Sequence, residues 1–394
     1  MSRSVIIAGA RTPIGRISGA FASLTAMDLG GFAIRAALER AGVEPEEVDY
    51  VFMGQVLQAG QGQITSRQAA VKAGIPMTVP CTTVNKVCLS GLNTIYLADQ
   101  MISAGDADIV VAGGMESMTN APYLLPNARA GYRMGDQKVV DAMMHDALWD
   151  AFDNVAMGVG TQEYTKQKPE ITRERQDAFA AASHDRAANA IKDGRFDDEI
   201  VAVSVPQRKG DPLVIETDEG VRPGTTVESL AALRPAFSKD GTITAGNASQ
   251  ISDAGGAVIV MSKAAAERRG VTPLGEIVGY GQVAGPDTSL LTQPSRATKR
   301  ALDRAGLTLT DVDLFEFNEA FASVSLASMD DLGLSDDVVN VNGGAIALGH
   351  PVGMSGTRLA LTLLHELKRR GGGLGAAALC GGGGQGDAIL LRAL

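Results

Sequence analysis

Apolar residues in this chain fall into two alternating rhythms. Short unbroken apolar runs have the length and composition of buried strands: SVIIAGA at 4–10, the stretch around Val51, DIVVAGG at 108–114, AVIVMSK at 257–263 and LGAAALC at 374–380. Between them, apolar positions recur every three or four residues. Ala33 to Ala41 forms one such stretch, stopped by Gly42; Leu92, Ile95, Tyr96, Asp99 and Ile102 form another, stopped by Gly105. A third runs from about Ser355 to Lys368, and a further strand lies near Leu314. Alternation of this kind predicts an α/β fold with a mostly parallel sheet under covering helices.

The rhythm occurs twice. ALERAGVEPEEVDYVFMGQV, from Ala37 to Val56, returns as ALDRAGLTLTDVDLFEFNEA from Ala301 to Ala320, with seven of twenty positions identical at an offset of 264 residues. A constant offset over that length marks an internal duplication. Between about Ala121 and Ser249 the pattern changes to a polar, Met-rich stretch, a charged helix near Arg173 to Lys192 and a strand within IVAVSVP, none with a counterpart in the second half. The expected organisation is an N-terminal half at 1–120 plus 250–272, an inserted loop domain at 121–249 covering the active site, and a C-terminal half at 273–394.

Composition narrows the classes. A length of 394 residues suggests more than one core, and no apolar run approaches the roughly 20 residues of a membrane span. The start, MSRSVIIAGARTP, reads as a strand entering a loop, without signal or transit character, so a soluble cytoplasmic protein is expected. Three cysteines, at 81, 88 and 380, fit a reducing compartment, and no CxxC or HxxxH pair suggests a metal site. A net charge of −10 disfavours sequence-independent nucleic-acid binding. The 47 glycines crowd around the residues that carry chemistry.

Cys88, in NKVCLSG, stands where a helix begins. A helix N-terminus carries unpaired N–H groups and about half a positive charge. Both favour thiolate and predict a pKa below the usual value of about 8.5. On position alone, a buried structural cysteine is the alternative. Shifting Cys88 by 264 gives 352, two residues past His350 in GGAIALGHPVGMSG, so halves packed about a pseudo-dyad set thiol and imidazole face to face. His350 can then deprotonate Cys88 or hydrogen-bond a developing oxyanion, while His145, His184 and His365 are expected in surface roles. Cys380 ends a strand and matches Glu116 by the same offset, which points it at the crevice beyond the strands' carboxyl ends. The following glycines contain GxGxxG, but AILLRAL reads as a strand and not the helix a dinucleotide site requires. Two thiols and an imidazole on glycine-lined loops suggest acyl transfer through a thioester, with the second thiol as acid and base.

NKVCLSG, NEAFA at 318–322, GHPVGMSG and CGGGGQG, in that order and joined by ARTPIGR near the start and TAGNASQISDAG at 244–255, resemble the thiolase family along the whole chain. The resemblance implies two duplicated mixed-sheet halves in an α-β-α-β-α core with an inserted loop domain. It also implies a ping-pong acyltransferase that forms or cleaves acetoacetyl-CoA. A broader 3-ketoacyl-CoA thiolase of fatty-acid or sterol degradation is the alternative. By matching motif, Cys88 would carry the acyl group, His350 would activate it, Asn318 would hold a water beside the enolate oxygen, and Cys380 would move the α-proton. Backbone N–H groups of Cys88 and Gly382 would form an oxyanion hole; Ser249 and Arg222 would contact coenzyme A, and Met157 and Phe321 would line the acyl pocket. Substrates would be acetyl-CoA, acetoacetyl-CoA and CoA, with no resident cofactor or metal, no nucleic-acid or membrane partner, and a homodimer or homotetramer as the assembly. Two departures stand near the substrate: Ala156, where short-chain members carry histidine, and Gln250, where glycine is usual.

Overall fold

A computed structural model describes residues 4–394. In the first half, β1 (Ser4–Arg11), β2 (Tyr50–Gly54), β3 (Cys81–Val84), β4 (Ile109–Ser117) and β5 (Ser252–Ser262) stand in the order β1-β5-β4-β2-β3. In the second, β6 (Gly275–Ala284), β7 (Leu314–Phe317), β8 (Gly373–Gly381) and β9 (Gln385–Ala393) stand in the order β6-β9-β8-β7. Val339 bridges the free edge of β7 at Phe315, the place β3 holds in the first half. Strands β4 and β8 are separated by the same 264 residues at both ends. The two sheet units meet where Val5 and Ile6 pair with Glu276 and Gly275.

The helices relevant to the site are α1 (Ala26–Ala41), α2 (Thr65–Ala73), α3 (Ser90–Ala104), α4 (Arg173–Lys192), α5 (Gln293–Ala305), α6 (Ala322–Leu332) and α7 (Ser355–Arg369). Helix α1 starts seven residues ahead of the expected position, at a capping box between Thr25 and Asp28, and ends at left-handed Gly42. Its Ile34 and Leu38 pack with Val51, Val111 and Ile259 on the outside of the first sheet unit. Leu302 of α5 and Val324 of α6 pack with Phe317 and Leu390 on the outside of the second. Helices α3 and α7 lie between the units: Leu92, Ile95, Leu359 and Leu363 share one buried cluster with Val110 and Val258 from one side and Ala377 and Ile389 from the other. The result is five layers, α-β-α-β-α. Val110 faces the central cluster and Val111 the outer one, so both strand faces are covered. That is why the strands read as continuous apolar runs and not as alternations.

The sheet is mixed, as the family resemblance implies and against the mostly parallel sheet that the alternation of strands and helices predicts. Only β2–β3, β2–β4 and β7–β8 run parallel, whereas β5 is antiparallel to both its neighbours, β1 and β4, and β9 to both of its own, β6 and β8. The physical reason is local. Strand β8 returns directly into β9 through Gly382–Gly384, and a hairpin reverses direction where a crossover helix would preserve it. In the first half the corresponding return, from β4 to β5, is opened by residues 118–251.

This long excursion is tied back to β1 by buried charge. Arg11, with no exposed surface, donates from Nε to Glu199 at 2.6 Å and from both Nη atoms to Asp218 at 2.7 and 2.9 Å. Burial works against the cation, but the two carboxylates outweigh it and hold its pKa above the ordinary value. Deleting Asp218 strips both Nη atoms of a desolvated guanidinium of their carboxylate and leaves Glu199, at Nε, as its one ion-pair partner. Asp218→Ala is therefore expected to lower unfolding free energy by about 3–5 kcal/mol, read from the denaturant midpoint; a change below about 1 kcal/mol contradicts this anchor.

Candidate active site

Between β3 and α3 the chain makes a sharp elbow at residues 85–89. Val87 sits at φ 50°, a left-handed conformation costly for a β-branched side chain. Local hydrogen bonds hold it: the Val87 N–H donates to Asn85 Oδ1 at 3.1 Å, Ser90 Oγ donates to the Val87 carbonyl at 2.6 Å, and the Lys86 N–H donates to Ser90 Oγ at 2.9 Å. Cys88 lies in this elbow, two residues ahead of the helix and only partly exposed. Burial pushes its thiol up to about 12 and the nearby Glu116 adds to the rise, while the N–H groups of Cys88 and Gly382, aimed at the sulfur, oppose it. The expected lowering by the helix terminus is thus reversed, because desolvation exceeds what a partial charge supplies. Cys88 is a thiol at neutral pH.

Cys380 ends β8, opposite Gly386, and is buried. Burial, then the neighbouring Cys88, raises its pKa, so the two sulfurs lie within electrostatic reach of each other. His350 follows the single turn Ala345–Leu348 and left-handed Gly349. Its ring Nδ1 is 2.6 Å from Ser355 Oγ, and Ser355 donates its own proton to the Pro351 carbonyl at 3.1 Å. Nδ1 therefore carries the imidazole hydrogen, and the Nε2 lone pair accepts from Asn318 Nδ2 at 3.3 Å. Burial, then the Arg358 charge, pulls the His350 pKa down to about 3, so the ring is neutral at physiological pH. Asn318 is fully buried, its N–H donates to the Ala378 carbonyl at 3.0 Å, and its Oδ1 has no partner among the described residues.

An apolar cavity of about 240 Å³ opens above His350, with Met157, Phe321 and Ser249 among its walls. Through Phe237, Ser249 and Gln250 it continues into an outer cavity of about 530 Å³ that reaches Arg222 and Arg16. Neither thiol is among the walls; Cys88 packs with Val352 and Leu57 at the base.

Four contributors escaped the sequence reading. Ser355 sets the His350 tautomer; its place five residues after the histidine was visible, but its contact was not. Glu116 accepts from the N–H groups of Val56, Leu57 and Gly353 at 3.0–3.2 Å, and burial pushes it up to about 7. It ties the loop after His350 to β4. Gln250 donates to the carbonyls of Gly220, Ile346 and Ala347 at 2.9–3.0 Å, and its own carbonyl accepts from the His350 N–H. His184, expected at the surface, is buried on α4 and accepts the Arg222 N–H at 3.2 Å; burial, then Arg222, lowers its pKa to about 4. The helical register of Ala180, His184 and Ala187, one inward face, was the available signal. His145 is exposed, whereas His365 is partly buried.

A neutral imidazole near a half-buried and a buried thiol can relay protons while one sulfur carries an acyl group. Comparison with known proteins assigns the class. Residues 4–264 match the family model "Thiolase, N-terminal domain" and residues 271–393 match "Thiolase, C-terminal domain", so the chain belongs to the thiolase family. Among its relatives are a probable acetyl-CoA acetyltransferase of Mycobacterium tuberculosis, 56% identical, and an acetyl-CoA acetyltransferase of Cupriavidus necator, 53% identical, both over the full length of both chains. The crystal structure of the Bacillus anthracis acetyl-CoA acetyltransferase, 41% identical, superimposes with a TM-score of 0.97 over 100% of this chain and 99% of the other.

A protonated Cys88 has a spectroscopic consequence. The thiolate absorbance near 240 nm is expected to be unchanged by Cys88→Ala between about pH 5 and 8. A thiolate signal titrating in that range and lost in the variant would contradict a thiol held up by burial.

Proposed function

We propose that the chain is an acetyl-CoA C-acetyltransferase, joining two acetyl-CoA into acetoacetyl-CoA and CoA, or the reverse, through an acyl-cysteine. The observation that carries this reading is the meeting of two thiols, one facing the Gly382 N–H, with the neutral His350–Asn318 pair at the inner end of a channel. In the first half-reaction the Cys88 sulfur attacks the acetyl-CoA carbonyl and its proton passes to His350 Nε2. The oxyanion forms against the N–H groups of Cys88 and Gly382. The carbon–sulfur bond to CoA then breaks, and the CoA sulfur takes the proton from His350.

In the second half-reaction the Cys380 proton passes to His350 Nε2, and the resulting thiolate takes the α-proton of a second acetyl-CoA. The Nε2–H of the His350 imidazolium so formed and a water held by Asn318 stabilise the enolate oxygen. The enolate carbon bonds to the acyl carbon, the bond to Cys88 breaks, and the departing sulfur recovers the proton from His350, while Cys380 keeps the α-proton and is again a thiol. A thiolate whose pKa is raised is a stronger base, suited to a weakly acidic carbon.

Ser249 and Arg222 are assigned to the pantetheine and nucleotide ends of coenzyme A, on the strength of their places along the channel. Met157 and Phe321 are assigned to the acyl group. No helix among the described residues is long and apolar enough to cross a membrane. The reading includes a cytoplasmic homodimer or homotetramer without resident cofactor, and residues 121–249 as an inserted domain. Ala156, a small side chain on the cavity wall, favours a second reading: a thiolase of broader chain length.

Steady-state thiolysis over an acyl series separates the two. We expect kcat/KM for acetoacetyl-CoA to exceed that for an eight-carbon 3-ketoacyl-CoA by at least about ten-fold. Cys88→Ala should retain less than about one thousandth of parent activity. A preference for the longer substrate favours the second reading, and activity surviving in the variant overturns both.

A further inference from the structure

Beside the two thiols runs a closed circuit of ion-pair, hydrogen-bond and ring-stacking contacts that the chemistry above does not use. Lys86, two residues before Cys88 and about four-fifths buried, reaches across the halves to Asp387 of β9, with Nζ 2.7 and 2.9 Å from the two carboxylate oxygens. Asp387 is fully buried and also accepts from the Tyr280 hydroxyl at 2.7 Å. The Tyr280 ring, on β6, stacks on Tyr96 of α3 with centroids 4.3 Å apart and planes 18° from parallel. Helix α3 begins at Ser90, whose Oγ accepts the Lys86 N–H. The circuit thus leaves the elbow along α3, crosses to β6 and β9, and returns to the elbow through Lys86.

Both catalytic loops are anchored at this circuit. Asp387 pairs across the ladder with Leu379, and the next pair is Gly386 with Cys380. On the other side, the Val87 methyls lie 3.5 and 3.7 Å from where a Cβ on Gly382 would stand. A β-branched residue at φ 50° persists only when its surroundings over-determine it. Within the elbow, hydrogen bonds to Asn85 and Ser90 hold Val87, and Asn85 Nδ2 donates to the Val56 carbonyl at 3.4 Å; across the halves, Leu89 packs with Leu379 and Ile389, and the Lys86–Asp387 pair adds the ion pair that joins the elbow to β9.

We propose that Lys86 and Asp387 form a positioning pair that clamps the Cys88 elbow to the β8–β9 hairpin and so sets the spacing between the two reacting sulfurs. The inference rests on the reading that Cys88 and Cys380 carry out the transfer. The clamp works through position and not through the lysine charge, which its carboxylate neutralises. A buried ion pair of this kind is weak evidence for stability; its contribution is sought in the rate.

The test uses the full-length protein with Lys86→Met, Lys86→Arg, Asp387→Asn and the Lys86→Met/Asp387→Asn double variant. Turnover, KM for acetyl-CoA and the rate of Cys88 alkylation by iodoacetamide are measured in parallel. Lys86→Met is expected to lower kcat by about 10- to 100-fold with KM within about two-fold, and to change the alkylation rate by at least about five-fold. Lys86→Arg should stay within about three-fold of the parent, and the double variant should fall no further than the worse single one. If Lys86→Met does not fold, Lys86→Gln is read by the same criteria. A kcat within about two-fold of the parent, or single losses that multiply in the double variant, overturns the clamp. An inactive parent whose Cys88 alkylation still changes in Lys86→Met sinks the functional reading and supports the clamp, whereas an active parent with unchanged alkylation sinks the clamp alone.

Discussion

Helices α3 and α7 touch near their N-termini, and that contact governs the site. A Cβ on Gly91 would stand 2.8 Å from Thr357 Oγ1 and 2.9 Å from the Gly353 carbonyl oxygen, and one on Gly356 only 2.3 Å from the Leu92 nitrogen. Neither exists, so the two helices approach to backbone distance, and Thr357 Oγ1 donates to the Gly91 carbonyl at 3.2 Å. Cys88 lies just ahead of one helix, and His350 precedes the other by a loop whose Ser355 fixes the ring. Helix contact, elbow and imidazole orientation therefore form one construction. The duplicated halves matter to function because each contributes one of these helices to the central layer.

Desolvation dominates the electrostatics there. It holds Cys88 and Cys380 as thiols, keeps His350 neutral and raises Glu116 towards neutrality. A site made of groups uncharged at rest suits the proposed acyl-CoA route, in which the apolar inner cavity would hold the acyl group and charge would appear only along the reaction path. The positive groups, Arg16 and Arg222, stand at the outer end, where an anionic cofactor tail would lie. A net charge of −10 over the chain makes that local placement necessary.

Much of this was legible in the chain itself, and the gaps have physical causes. The duplication at a fixed offset anticipated the equivalence of β4 with β8 and of α3 with α7, because repeated helices and strands impose the same periodicity. The same offset paired Cys380 with Glu116 as strand-end residues, yet Glu116's three N–H partners come from loops that no periodicity records. Strand direction is not legible in the apolar runs, which read the same in either sense; the mixed sheet follows from the family resemblance alone. The sign of the Cys88 shift was misjudged because proximity to a helix is visible in sequence whereas burial under Val352 and Leu57 is not. His184 was placed outside since a charged helix conceals its inward face until the register is followed.

The central claim is that two half-chains meeting at α3 and α7 bring a sulfur under the control of an imidazole. The most direct measurement is the pre-steady-state rate at which acetyl-CoA acetylates the protein, with the modified residue located by mass spectrometry, in the parent and in His350→Ala. The account predicts an acetyl group on Cys88 that forms within a turnover and at least about 100-fold more slowly in the variant. Acetylation at another residue, or at an undiminished rate without the imidazole, would contradict it.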